Sequence, residues 1–377
     1  MIFGRSLKHR SLRKFLACLI SLWIAGTLAA AVIFVQAAGR AQPGFRPIND
    51  PLSPEQLSLI GEIPSYRRAE EATYLTFPEW YLVFNPQEYA QFLTHDPPSR
   101  FSYFKSISQF WFGYAQVYGI TRRNYPFNTG NHLMVIVIGT SSTVEYVVKG
   151  TYENTVGRLF EWIGSGAKTE EDAYAAEVAR EYGDFIPSRP WFEFPFGRKL
   201  DGLWSTTGFF GPHFLRKCER KFFLSLEYGV KCIYAGVIRL ASHSVYGTAD
   251  TEIYASLTNV PDTAFENSGM KKIKQLGDGS WIVTLPHSQG FTDVVPGLAR
   301  QGVQFNNIAG NDEILVTVVA PATWQYDLAD GRALFTMELL AGSEFKRIAI
   351  QAPVKSLGRM LQEIEARGLR IEHLFDY

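Results

Sequence analysis

The segment Phe15–Val35 runs for 21 residues without a single charge. About 20 consecutive apolar residues, rising 1.5 Å per residue as a helix, match the roughly 30 Å hydrocarbon core of a bilayer. Directly before it stand Arg5, Lys8, Arg10, Arg13 and Lys14, with no acid in the first 14 residues. Cations on that flank hold a helix's N-terminal end in the cytoplasm. The expectation is a basic cytoplasmic N-terminus (1–14) and an uncleaved, single-pass signal-anchor (15–36). The chain then belongs in the inner (cytoplasmic) membrane, with its bulk on the non-cytoplasmic side. Val35 and Ala37 would suit a cleaved signal peptide, but a signal's apolar core runs only about 7–15 residues. Either reading sends the rest of the chain across the membrane.

Two later stretches are apolar enough to raise the same question. Leu133–Val148 contains Glu145, and Phe222–Ala241 contains Glu227, Lys231 and Arg239. A charge near the middle of a span costs about 2.5–3.5 kcal/mol on insertion scales. Each stretch is therefore read first as a buried helix of a globular domain. Arg216, Lys217, Arg220 and Lys221 precede Phe222 as a cytoplasmic flank would, which keeps a three-span topology open.

The 37 basic and 37 acidic side chains cancel. Nucleic acid is not expected as a partner, because no global field recruits it, and no nucleotide is expected, because Gly164–Thr169 fails as a phosphate loop. A composition 46% hydrophobic and 20% charged excludes disordered and collagen-like chains. Three cysteines make no disulfide framework.

Past the apolar stretch, residues 37–69 read as a linker and a short helix. Ser53-Pro54-Glu55-Gln56 has an N-cap, a first-turn proline and a glutamine at the third position. Asn85-Pro86-Gln87-Glu88 repeats that grammar, and Thr169-Glu170-Glu171-Asp172 marks a third start. Residues 70–245 read as a helical, aromatic-rich domain. Tyr74, Phe77, Trp80, Tyr81 and Phe84 come first, then Phe110, Trp111, Phe112, Tyr114 and Tyr118. Such rings are expected in a core, with contact at a membrane surface as the alternative.

Residues 246–270 are expected to be a linker, and 271–377 an α+β domain. Gly277-Asp278-Gly279-Ser280 sits between two alternating runs and signals a hairpin. Asp330-Gly331 is expected to turn a second hairpin. Phe345–Ala352 reads as a strand, Val354–Ile364 as an amphipathic helix stopped by Gly368, and Leu369–Phe375 as a final strand. Pro286 with Gly302, and Pro353 with Gly368, frame two copies of a strand–helix–Gly–strand pattern. The expected fold class is thus α+β: a transmembrane helix, a helical domain, and a C-terminal antiparallel sheet with helices on one face, in the ferredoxin-like split βαβ manner.

The helical region carries its own repeat. Gly130-Asn131-His132 leads to Glu145-Tyr146-Val147-Val148-Lys149 and Tyr152; Gly211-Pro212-His213 leads to Glu227-Tyr228-Gly229-Val230-Lys231 and Tyr234. At 100° per residue, Glu, Lys and the second Tyr share one stripe of each helix. Glu145, Lys149, Tyr152, Glu227, Lys231 and Tyr234 are therefore the catalytic candidates: a polar layer where the two copies meet. An intrahelical ion pair is the simpler explanation, worth about 0.3–0.5 kcal/mol if exposed.

Other motifs fall away. Gly164-Ser165-Gly166-Ala167-Lys168-Thr169 lacks the glycines of a phosphate loop. The seven histidines form no zinc spacing, so no metal and no cofactor are expected, although antiparallel pairing of the two repeats would bring His132 towards Glu227. Cys218 and Cys232, 14 residues apart on one helix, stand about 21 Å apart and cannot bridge. The expected function is a membrane-anchored, non-catalytic interaction or accessory subunit, with a protein partner in the membrane or periplasm. The alternatives are an enzyme or metal-binding protein using the Glu/Lys/Tyr layer, and a small-ligand sensor using the C-terminal domain.

Overall fold

The computed structural model describes residues 54–376 apart from 64, 70 and 246–250. The basic N-terminus, the signal-anchor and the proline-rich part of the linker lie outside the described residues. Among the described residues nine α-helices precede the strands: α1 (Pro54–Glu62), α2 (Glu71–Leu75), α3 (Phe77–Leu93), α4 (Tyr103–Asn124), α5 (Thr129–Tyr152), α6 (Arg158–Ile163), α7 (Glu170–Phe185), α8 (Phe196–Thr206) and α9 (Phe214–Val245). A π-helical turn, Glu153–Gly157, joins α5 to α6 without a break. Asn85-Pro86 opens no helix. It lies inside α3, where the Asn85 amide donates to Ser106 Oγ at 2.7 Å. The third start holds: Thr169 and Asp172 cap α7 reciprocally.

The α+β part comprises β1 (Glu252–Thr258), α10 (Asp262–Asn267), β2 (Lys271–Gln275), β3 (Trp281–Pro286), α11 (Gln289–Arg300), β4 (Gln304–Ile308), β5 (Glu313–Pro321), β6 (Arg332–Glu338), β7 (Phe345–Pro353), α12 (Leu357–Ala366) and β8 (Arg370–Phe375). It forms two antiparallel sheets, in the orders β2-β3-β1-β4 and β6-β7-β5-β8. The second order is the first repeated four strands later. The repeat framed by Pro286/Gly302 and Pro353/Gly368 therefore corresponds to two sheets rather than one. Both glycines adopt positive φ, 81° and 68°, where a helix stops before its returning strand.

Two further expectations need correction. Much of the segment read as a linker, 246–270, belongs to the first sheet as β1 and α10. In β1 the alternation is masked because Ala255, Ser256 and Leu257 are all buried, with both faces of the strand covered. Asp330-Gly331 turns no hairpin, because β7 lies between β5 and β6. Gly331 instead approaches the backbone of β7, where a Cβ would stand 2.8 Å from the Gln351 carbonyl oxygen.

Helices α11 and α12 lie against each other between the two sheets. Ile253, Leu257 and Leu285 meet them from one side, and Ile314, Val316 and Ile350 from the other, in one continuous core. The opposite face of the second sheet (Leu315, Phe335, Met337, Phe375) packs on Phe77, Phe110 and Tyr114 of the helical domain. Burial on both faces is why β5 reads as an unbroken apolar run. Arg347 fastens this joint. Its fully buried guanidinium donates to Glu88 at 2.7 Å and to both oxygens of Glu372, and lies over the Phe84 ring.

Candidate functional site

The two copies of the E-Y-x-V-K helix lie side by side and antiparallel, on α5 and α9. Antiparallel pairing brings the later residues of one copy to the earlier residues of the other. Lys231 Nζ donates to Glu145 at 2.9 Å, and Lys149 Nζ donates to Glu227 at 2.8 Å. Lys231 also reaches Glu227 at 3.1 Å, so one ammonium bridges both glutamates. Tyr234 shares a hydrogen bond with Ser141, and Tyr152 stacks on Phe223 with ring centroids 3.9 Å apart. The Tyr152 hydroxyl donates to Glu219 at 2.9 Å. Thus the structure brings Glu145, Lys149, Glu227 and Lys231 into one cluster, while the two tyrosines stand at either side of it along the seam. The helix backbones barely touch; the tips of long side chains span the gap.

A second polar layer, absent from the sequence reading, continues the seam. Arg220 contacts Glu153 at 2.8 Å and Asp172 at 2.9 Å. Arg216 donates to Glu219 at 2.8 Å and to the Gly157 carbonyl at 3.0 Å. Lys221 donates to the Thr207 carbonyl and stands 3.7 Å from Glu171. The π-turn belongs to this layer: Glu153 folds back over Gly157, where a Cβ would lie 2.4 Å from its carboxylate. The four cations read as a cytoplasmic flank are thus turned inward and at most 6% exposed. Their i, i+4 spacing (216/220, 217/221) was the sequence signal for one buried face; Glu219 apart, their acidic partners lie elsewhere in the chain, at 153 and 170–172, and gave none.

Beside the first layer opens a cavity of about 870 Å³, bounded by α3, α5, α7, α9 and the Trp191–Glu193 turn. Small-molecule sites typically fall within about 300–1,000 Å³. Leu82, Val137, Ile138, Val178, Phe192 and Ile238 line its apolar walls, and the Glu/Lys cluster with Tyr89, Tyr182 and Tyr228 lines its polar end. Glu79 also faces it, without a hydrogen bond or ion pair among the described residues. Burial raises the Glu79 carboxyl from its ordinary 4.5 to about 7. Burial likewise raises the hydroxyls of Tyr89 and Tyr182.

The histidines are dispersed. His132 does not approach Glu227; its Nδ1 pairs with the Tyr114 hydroxyl at 2.9 Å, and its ring stacks on Phe127. His213 sits on an exposed turn at φ 59°. His287 Nδ1 meets Asp376 at 2.6 Å, with Arg68 at 3.2 Å on its Nε2. His373 stacks on Trp80 and meets Thr292 at 2.9 Å. Among the described residues no group of three His, Cys, Asp or Glu side chains is placed to hold a metal. Both Cys218 and Cys232 are free thiols on α9. Gly164–Thr169 is the turn between α6 and α7, ending in the Thr169 cap.

The outer faces of these helices are the reverse of the inner ones. Leu215, Phe222, Leu226, Val230, Ile233 and Val237 form an exposed stripe along α9. On α5 and α6, Leu133, Ile136, Val137, Val148, Leu159 and Trp162 are exposed. The continuous helix Thr129–Ile163 is the one described helix both long and apolar enough to cross a membrane. No protein-family model matches the chain, and no curated protein or solved structure does.

Proposed function

We propose that this chain is a membrane-anchored, non-catalytic interaction or accessory subunit. In this reading the helical domain is seated in the bilayer by one face of α5–α6 and α9. The observation that carries it is the inversion of polarity. The charged side chains at 216, 217, 219, 220, 221, 227 and 231 of α9 point into the domain, and its exposed stripe is apolar. Water favours the opposite arrangement, and contiguous exposed apolar surface marks an interaction or membrane site. The bilayer is favoured as the occupant because the same chain carries the apolar stretch 15–36. In addition, Phe209, Phe210 and Phe214 stack beside Trp204 at one end of α9, as interfacial aromatic rings do.

The other faces of α5 are covered by its own domain: Phe110 lies on Gly139, and Trp111 donates to Thr143 at 2.9 Å. That favours helices lying in the interface over helices crossing it. The signal-anchor then places the bulk of the chain on the non-cytoplasmic side of the inner membrane. Each half of the α+β domain is read as a ferredoxin-like split βαβ unit, a docking module for a protein partner in the membrane or periplasm. The two E-Y-x-V-K helices are read as copies of one ancestral unit.

Ile233, 72% exposed on the apolar stripe, supplies the test. With Cys18, Cys218 and Cys232 changed to serine, a fluorophore on a cysteine introduced as Ile233→Cys is compared in plain vesicles and in vesicles of brominated-chain lipids. Strong quenching by bromine supports the reading. Emission typical of water, unquenched, overturns the bilayer as occupant.

One observation favours the enzyme reading as a second: Lys231 bridges Glu145 and Glu227 beside a cavity. A Glu145→Gln, Glu227→Gln double variant that folds and retains full biological activity would end that reading.

A further inference from the structure

We infer that the cavity between α5 and α9 binds a lipid-soluble molecule with an apolar chain and an uncharged, hydrogen-bond-accepting head, of the quinone or acylglycerol kind. This inference rests on the membrane reading above, because it takes the ligand to enter from the bilayer.

Three observations place it. The first is shape. Leu133 and Lys149 both line the cavity, 16 residues apart on α5, so it extends about 24 Å along the helix. A chain fits such a space better than a compact metabolite does. The second is the mouth. Leu133, Met134, Val137 and Tyr234 line the cavity and are also exposed on the domain's outer side. The opening therefore lies on the apolar face, where a molecule leaving lipid need not cross water.

The third is the polar end. Glu145 and Glu227 balance Lys149 and Lys231, so the cluster has no net charge to recruit an ion. Tyr182 and Tyr228 stand beside it and line the cavity. Neither hydroxyl has a hydrogen-bond partner among the described residues, and Tyr228 is only 4% exposed. Both hydroxyls are open to the cavity, so each offers its donor to whatever occupies that space. What remains to be donated here is O–H, which asks for an acceptor oxygen. A carbonyl on an apolar chain meets that demand without adding charge.

The test uses the full chain in lipid nanodiscs, with native mass spectrometry and fluorescence titration. The probes are a decyl-substituted benzoquinone, a monoacylglycerol and oleate. The expectation is saturable binding of a neutral probe and at least tenfold weaker binding of oleate; which neutral probe prevails identifies the source. Tyr228→Phe and Tyr182→Phe keep the rings and should each weaken binding up to about tenfold, the worth of one hydrogen bond. Val137→Trp, at the exposed mouth, should abolish binding while leaving the thermal melt unchanged. Tighter binding of oleate, or equal binding by wild type and Val137→Trp, overturns the inference. If the fluorophore at position 233 is quenched by brominated lipid yet no probe binds, the cavity inference fails and the membrane reading stands. If that fluorophore reports water while a neutral probe binds with the stated variant pattern, the reverse holds for the site, and only the bilayer route is overturned.

Discussion

Glu79 should make the stability of this protein fall as pH rises. Its carboxyl faces the cavity from α3, and burial lifts it from 4.5 to about 7. Between those values the folded chain holds a proton that the unfolded chain has released. Stability therefore declines as pH rises through that window, and the loss is complete above about 7. A lift of this size, at 1.36 kcal/mol per pH unit, corresponds to about 3 kcal/mol. Glu79→Gln removes the titration while keeping shape and hydrogen-bonding capacity. Guanidinium unfolding of both proteins, in the same mild detergent at pH 4.5, 6, 7 and 8, reads the difference directly. The variant should match wild type at pH 4.5 and exceed it by about 3 kcal/mol at pH 8. The same cavity that desolvates Glu79 is open at its mouth, so water entry can only lower this figure. A difference that stays flat from pH 4.5 to 8, or a variant less stable at pH 8, would refute the argument that Glu79 is buried without a partner.

The ion pairs should be unequal. Glu227→Gln deprives both Lys149 and Lys231 of a carboxylate and should lower stability by about 3 kcal/mol or more. Glu145→Gln, at a side chain 44% exposed, should cost about 1 kcal/mol or less, and thermal melts of the two variants check the order. Arg347→Met leaves Glu88 and Glu372 buried without their cation; a loss of about 3–5 kcal/mol in guanidinium unfolding is expected, with the seam between helices and second sheet opening first in hydrogen exchange. Thr169→Ala removes one half of the α7 capping box and should cost about 1 kcal/mol in the same unfolding assay.

Local grammar was legible wherever the chain's own neighbours decide the outcome. The Thr169 cap, the Gly277–Ser280 hairpin, the α12 stripe and its Gly368 stop are all set within a few residues. Asn85-Pro86 misled because its grammar is local while the outcome is tertiary. Asn85 is bonded to Ser106 of α4, and α3 continues through the proline. Strand order was illegible for the same reason. Nothing near Asp330-Gly331 says that β7 will come between β5 and β6. Of the candidate site, the repeated stripe could be read from spacing alone. The Arg216/Arg220 layer could not, since Glu153 and Asp172 are distant in sequence. Nor could the cavity, which exists only because two helices are held apart.

The stripe's order explains how one motif can fasten to its own copy. In each helix Glu precedes Lys by four residues. Were two such helices parallel and in register, Glu would face Glu and Lys would face Lys, and like charges would meet in a desolvated seam. Turned antiparallel about a centre near Tyr146–Lys149 and Glu227–Val230, each Glu meets the other copy's Lys, as Lys231–Glu145 and Lys149–Glu227 do. The contacts are then reciprocal, residue i with j and j with i, as in an isologous interface. The arrangement is not perfectly symmetric, because Lys231 also holds Glu227. That extra contact joins Lys231 to its own helix as well as to the other copy. Lys231 lies by the Tyr182 ring, and the gap spanned by the long side chains opens there into the cavity that Tyr182 and Tyr228 also line. The cavity and the ion pairs thus have one origin: charges that join two helices through their tips, at a distance apolar contact would not maintain.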